Sequence, residues 1–243
     1  LALDIARQTA TKHGNSVCFF SLEMSSQQLV DRMLATEARV NSWKLRTGRI
    51  NTEQEFKHVR DALDRLSSAP IFIDDQPGTN ILKMRAVARR LKREKDLKLI
   101  VVDYLQLMTP INTKNSDSAV QQVTELSRSL KHLARELDVP VLALSQLSRA
   151  VESRGGKPRL SDLRDSGSIE QDADVVMFLH RDEKQKEEKE NNRISLTEVL
   201  IEKHRNGPTG KVELMFDGEK ATFLPVDKSN FGPFAEPTSS GDF

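Results

Sequence analysis

One cysteine, one tryptophan and one tyrosine are all the chain holds of those residues in 243 positions, and no apolar run approaches the ~18 residues of a membrane span. The single thiol, Cys18, excludes an intramolecular disulfide and fits a reducing compartment; set in Val17-Cys18-Phe19-Phe20, it reads as a small buried side chain. Five histidines, at 13, 58, 132, 180 and 204, have no ligand-like spacing, which excludes a zinc site built on them. An excess of charge is missing too. With 37 basic and 36 acidic residues the formal net charge is +1, so no global field draws the protein to nucleic acid or to a membrane surface. Any polyanion site must be local. The start shows no basic-then-apolar leader, and a soluble, cytoplasmic protein is expected. Its first residue is Leu1, not Met, so something upstream is expected to have been removed or left out.

What is present is length enough for one large domain with a real core. Leu1 to Ala10 has helical periodicity, closed by Gly14-Asn15. Ser16 to Leu22 reads as a buried strand, followed by helices at about 25–39 and 53–67, a strand at Pro70 to Asp74, and a helix over about 80–95. A strand at 98–103 and an amphipathic helix from Ser118 to Leu137 come next, then a strand from Pro140 to Ser145. Strands alternating with helices imply crossovers and a mostly parallel sheet buried on both faces, which is why these strands are continuous apolar runs. The fold class is α/β. Beyond Ser148 the texture changes: residues 149–168 read as loops around a short helix, and Asp174 to Leu179 as a strand. The mixed-charge run 182–193 reads as a solvated loop. Ser195 to Lys203, Gly210 to Phe216 and Ala221 to Leu224 read as antiparallel edge strands, and the end of the chain as a flexible tail.

In open parallel sheets ligands sit off the carboxyl ends of the strands, where Glu23, Asp103 and Ser145-Gln146 all fall. A carboxylate such as Asp103, closing Leu99-Ile100-Val101-Val102, suits Mg²⁺ held through water beside phosphates; it equally suits a cap for the turn that follows. Glu23 could orient and deprotonate an attacking water, or serve as a first-turn acid for the helix beginning near Ser25. Gln146 could sense a phosphate through its amide or be an ordinary loop amide.

Five stretches occur in order: Phe19-Phe20-Ser21-Leu22-Glu23-Met24-Ser25, Leu99 to Leu107, Leu144-Ser145-Gln146-Leu147-Ser148-Arg149, Asp162 to Asp174, and Lys203-His204-Arg205-Asn206-Gly207-Pro208. Together they resemble the motor domain of DnaB-type replicative DNA helicases, a branch of the RecA-like ATPases, over about residues 1 to 231. The resemblance implies a RecA-like core at 1–227 with a tail at 228–243, ATP and Mg²⁺ as ligands, and hydrolysis at the subunit interfaces of a homohexamer moving on single-stranded DNA. Primase and a helicase loader are the further partners it implies. Glu23 becomes the general base, Asp103 the Walker B carboxylate for Mg²⁺, and Gln146 the phosphate sensor. Lys203 and Arg205 become a trans-acting pair reaching the neighbouring subunit's γ-phosphate. Two apart at a strand end, they should point to one face. Arg164, Asp165 and the backbone of Gly167 become the channel segment touching DNA phosphates, with Thr113-Lys114-Asn115-Ser116 lining the same channel.

One element of that family is lacking in these 243 residues, the phosphate-binding Gly-x-x-x-x-Gly-Lys-Thr. In the resembling proteins it ends just before the position matched by Leu1, and the strand ahead of it is central to the sheet. The chain by itself is therefore expected to bind ATP poorly. Two other readings are a non-catalytic DNA-binding or assembly lobe and a RecA-like recombination ATPase; the runs Asp162 to Asp174 and Lys203 to Pro208 count against the latter.

Overall fold

The computed structural model describes residues 1–110, 119–148, 150–181 and 194–226, with only the backbone described at 119, 150, 152 and 164–167. The expected channel residues 113–116, the charged run 182–193 and the tail 228–243 lie outside these.

Helix α1 (Ala2–His13) stops at Gly14, whose φ of 65° lets its own amide and that of Asn15 turn back to the carbonyls of Ala10 and Thr9 respectively. Strand β1 (Ser16–Ser21) follows, then α2 (Ser26–Ala38), started by a capping box in which Ser25 and Gln28 bond reciprocally. A short α3 (Ser42–Arg46) precedes α4 (Glu53–Ser68), capped by Thr52, and β2 (Ile71–Asp74). Asn80 caps α5 (Ile81–Lys95), which leads into β3 (Leu97–Asp103) and a 3₁₀ turn at Leu105–Leu107. Helix α6 (Ala119–Leu137), β4 (Val141–Ala143) and α7 (Ala150–Arg154) come next. A 3₁₀ segment (Leu160–Ser166) runs into α8 (Gly167–Asp172), and four strands close the described chain: β5 (Val175–His180), β6 (Ile194–His204), β7 (Gly210–Asp217) and β8 (Thr222–Pro225).

The first four strands form a parallel sheet in the order β2-β1-β3-β4. Its central strands are apolar from Val17 to Phe20 and from Leu99 to Val102 because both faces are covered. Cys18, Phe20, Ile100 and Val102 face α5 and α6, whereas Val17, Phe19 and Val101 face α1 and α2. Seven such side chains exposed by at most 1% each are removed from water at about 25 cal/mol per Å² of apolar surface. The remaining strands form an antiparallel sheet, β5-β6-β7-β8, with Val176, Phe178 and Leu200 packed on Leu163. Val175, Met177 and Leu179, alternate residues of β5, stay exposed.

The α/β reading thus holds, with particular differences. β5 belongs to the antiparallel group. β4 is shorter than Pro140 to Ser145: Leu144 still donates to the Val102 carbonyl, at 2.9 Å, but Ser145 and Gln146 turn to meet the Gln106 side chain. Cys18 is buried as expected, and that burial, with Asp74 nearby, pushes its thiol up to about 12. Among the described residues no helix is long and apolar enough to cross a membrane.

Candidate nucleotide site at the strand ends

Three strand ends are stitched together by backbone bonds. Ser21 and Asp103 are register partners, Leu22 N donates to the Asp103 carbonyl at 2.8 Å, and Leu105 N donates to the Leu144 carbonyl at 2.9 Å. The stitching sets Glu23, Asp103 and Ser145-Gln146 in a row along one edge of the sheet.

Asp103 is half-buried, and its peptide bond to Tyr104 is cis. Burial raises its carboxyl above the usual range, and the charge of Glu23 raises it further; Arg32, on α2, opposes them. The capping alternative does not describe it, because the turn Leu105–Leu107 starts after Tyr104 without a side-chain cap. Nor is Glu23 the opening acid of α2. Ser25 and Gln28 supply that cap, Asp75 accepts from Ser26 N at 2.7 Å, and Glu23 stands exposed ahead of them. Its turn is shaped by Ser21 Oγ donating to the Met24 carbonyl at 2.6 Å. Two neighbouring carboxylates, one penalised for its charge, form an environment that favours a cation. One carboxylate with room for waters and phosphate oxygens fits Mg²⁺, which keeps much of its hydration. Among the described residues no three His, Cys, Asp or Glu side chains gather as a closed metal cage.

Gln146 stays exposed on a backbone clamped from β3's side. Gln106 Nε2 donates to Ser145 Oγ at 2.9 Å and to the Gln146 carbonyl at 3.3 Å, while its Oε1 accepts from Gln146 N at 3.3 Å. Sequence reasoning missed Gln106; its one signal was an amide inside the apolar run Leu105 to Met108. It missed Arg32 as well, which nothing in the helix pattern distinguishes from a solvated cation.

A cavity of about 280 Å³ adjoins this edge, for Leu1 and Arg32 line it and both stand within electrostatic reach of Asp103. Arg181 and Phe216 form another wall, the guanidinium 4.9 Å above the ring centroid, with Phe223 packed 4.8 Å from Phe216. Buried Asp4 fixes that wall to α1: it accepts from Phe223 N at 3.1 Å and pairs with Arg7 at 3.3 Å. Its walls thus carry cations, Arg7, Arg32 and Arg181, beside apolar surface.

Lys203 and Arg205 form a separate group. The expectation that both lie on one strand face is corrected: β6 ends at His204, paired with Val175, and Arg205 falls in the turn beyond it. The two cations still converge, because each reaches the C-terminal end of α8. Lys203 Nζ donates to the Glu170 carbonyl, and Arg205 donates to the Gln171 carbonyl at 3.3 Å and pairs with Asp174 at 3.0 Å. These contacts, not Glu23 or Asp103, are their partners within the chain. The backbone of Arg164 and Asp165 lies in the 3₁₀ segment, and Gly167 opens α8. That segment is pinned from below by buried Asp162, which accepts two bonds from Arg154 at 2.8 Å each and one from Arg159 N at 2.7 Å. The Arg154 guanidinium holds the Asp162 carboxyl below its usual range.

The family described as DnaB-like helicase C terminal domain matches residues 1–225. A replicative DNA helicase DnaB of Geobacillus stearothermophilus is 50% identical over 228 residues, which are 93% of this chain and 49% of that protein. The replicative DNA helicase DnaC of Bacillus subtilis is 49% identical over the same 93% and 49%. The chain therefore spans about half the length of these relatives. Among solved structures, an ATPase domain superposes with a TM-score of 0.85 at 38% identity, covering 93% of this chain and 79% of that one. A DnaB-like replicative helicase studied for its interactions with primase gives a TM-score of 0.85 at 38% identity, covering 93% of this chain and 54% of that one.

Proposed function

Since the chain belongs to the DnaB-like helicase C-terminal domain family, we propose that it is the motor of a replicative DNA helicase, coupling ATP hydrolysis at subunit interfaces to translocation on single-stranded DNA and duplex unwinding. The observation that carries this reading is the row of strand ends, where the charge of Glu23 is felt by half-buried Asp103 and Gln146 is held beside them by Gln106.

In this reading Glu23 orients a water and takes its proton as the water attacks the γ-phosphate of ATP. Asp103 would hold Mg²⁺, which supplies neutralisation of the phosphate oxygens. The adenine ring lies in the cavity against Arg181 and Phe216. Gln146 follows the presence of the terminal phosphate and passes it to the segment after β4. Lys203 and Arg205 act on the site of the adjacent subunit, which accounts for their separation from Asp103 within one chain. A guanidinium there contributes ~10³–10⁵ in rate by neutralising the transferring phosphoryl group. Arg164, Asp165 and the Gly167 backbone track phosphates of single-stranded DNA, a contact that needs no base readout.

Residues 1–227 make up the motor domain in this reading, with the phosphate-binding loop and its strand supplied from ahead of Leu1. β4 and β5 each stand at the end of a sheet, and Leu147, just past β4, packs with Val176 and Phe178 of β5. A strand entering between them would join the two sheets into one. A cytoplasmic homohexamer served by a primase and a loader completes the proposal.

The test is hydrolysis of ATP, with and without single-stranded DNA, by the full-length polypeptide carrying Glu23→Ala or Arg205→Ala. Each substitution is expected to abolish DNA-stimulated turnover while the melting temperature stays within about 2 °C, as for surface changes of under ~0.5 kcal/mol. Turnover retained in both variants refutes the assignment.

A further inference from the structure

Arg205 is attached to its own subunit at more points than a surface arginine needs. Its backbone N donates to the Asp174 carbonyl at 2.8 Å, one guanidinium nitrogen pairs with Asp174 Oδ1 at 3.0 Å, and the other donates to the Gln171 carbonyl at 3.3 Å. Asp174 Oδ2 is taken by Lys131 of α6. One carboxylate thus joins α6 to the turn after β6, and Arg205 itself adds the bond to the end of α8. These contacts use two of the five N–H donors of a guanidinium, one on each terminal nitrogen, so three remain for a phosphate.

The geometry points to Asp174 as the positioning residue of Arg205: it holds the guanidinium in the orientation that meets the neighbouring subunit's phosphate, and through α8 it ties that orientation to the segment 164–167. This inference rests on the reading of Arg205 as the trans-acting cation. Lys203 is tied to the same helix, since it bonds the Glu170 carbonyl in α8. A movement of Gly167, the first residue of α8, is therefore carried through six residues to both cations.

Asp174 and Arg205 are both about half exposed. Their pair adds little to the stability of the fold, and the effect of removing it should be seen in the position of the arginine, not in folding. An exposed pair of up to ~1 kcal/mol biases one orientation by roughly fivefold, which sets the scale of the expected loss.

The experiment measures DNA-stimulated ATP hydrolysis by the full-length polypeptide bearing Asp174→Asn, Asp174→Glu or Arg205→Ala, with a melting temperature for each. Asp174→Asn is expected to lower kcat roughly fivefold with KM for ATP within about twofold and an unchanged melting temperature. Asp174→Glu, which keeps the charge, is expected to recover most of that loss. If Arg205→Ala is inactive while Asp174→Asn has the parent kcat, the positioning role is wrong and the role of Arg205 stands. If Arg205→Ala turns over normally, the reading of Arg205 itself has failed. A rise in kcat for Asp174→Asn, or a fall in kcat accompanied by a lower melting temperature that Asp174→Glu does not repair, also overturns the inference.

Discussion

Replacing Gln106 by alanine removes three hydrogen bonds that hold the backbone carrying Gln146. One is a 2.9 Å bond to Ser145 Oγ; the others, both 3.3 Å, join the carbonyl and N–H of Gln146. At about 0.5–1.5 kcal/mol net for each, with the two long bonds at the low end, they stabilise the fold by about 2 kcal/mol. Freeing a half-buried glutamine returns up to ~1.5–2 kcal/mol of side-chain entropy, so the net destabilisation is about 1 kcal/mol or less. Thermal unfolding should show a fall of at most about 2–4 °C for a domain of this size. DNA-stimulated hydrolysis should fall by more than that small loss implies, because Ser145 and Gln146 are no longer held in place. Gln106→Glu separates the hydrogen bonds from simple bulk. At neutral pH it keeps the size but sets a carboxylate oxygen against the Gln146 carbonyl where an N–H now donates. It is expected to be no more stable than Gln106→Ala at pH 7, and to recover as the pH falls through its raised folded-state value toward the ordinary glutamate range, where the carboxyl regains a proton to donate. A Gln106→Glu protein as stable and as active at pH 7 as the parent would refute the argument.

Other consequences can be measured directly. Asp103→Asn should abolish hydrolysis yet melt no lower than the parent at pH 7. Burial and Glu23 raise the Asp103 carboxyl in the folded state, so its charge weakens the fold above that raised value, and the advantage of Asn should vanish as the pH falls through it; calorimetry at pH 7 and pH 4 reads the difference. Gly207→Ala should slow DNA-stimulated turnover, since a Cβ there would lie 2.4 Å from the His204 ring and displace the turn that begins with Arg205. Its effect on stability should sit at the low end of about 1–3 kcal/mol, because His204 is exposed and can swing outward. Cys18 should resist a thiol-specific reagent in the native protein and react fully in denaturant, as its burial and a thiol raised to about 12 require.

The parallel half of the molecule was legible because its signals are redundant. Val17 to Phe20 and Leu99 to Val102 are apolar at every position, which a two-faced buried strand needs, and α6 repeats its leucines at helical spacing. Glu23, Asp103 and Gln146 drew attention for the same reason, each being a polar group at the carboxyl end of such an apolar run. What could not be read depends on contacts between distant segments. Arg181 reaches Phe216, and Asp174 reaches Lys131, across sequence separations that no local pattern encodes. Arg205 was assigned to a strand because Ser195 to Lys203 reads as one, but whether the ladder continued two residues further was decided by β5, which gives His204 its last partner at Val175.

The ladders left open at β4 and β5 bear on how the chain behaves when prepared by itself. Each carries a row of backbone donors and acceptors along an outer margin, and beside the second lie Val175, Met177 and Leu179, 41–50% exposed, without the lysines or prolines that usually blunt such a border. A solution of residues 1–243 alone therefore offers these two margins as adhesive seams. Strand-to-strand capture between copies, growing with concentration and relieved by a peptide that can lie in the seam, is the colloidal behaviour these margins impose.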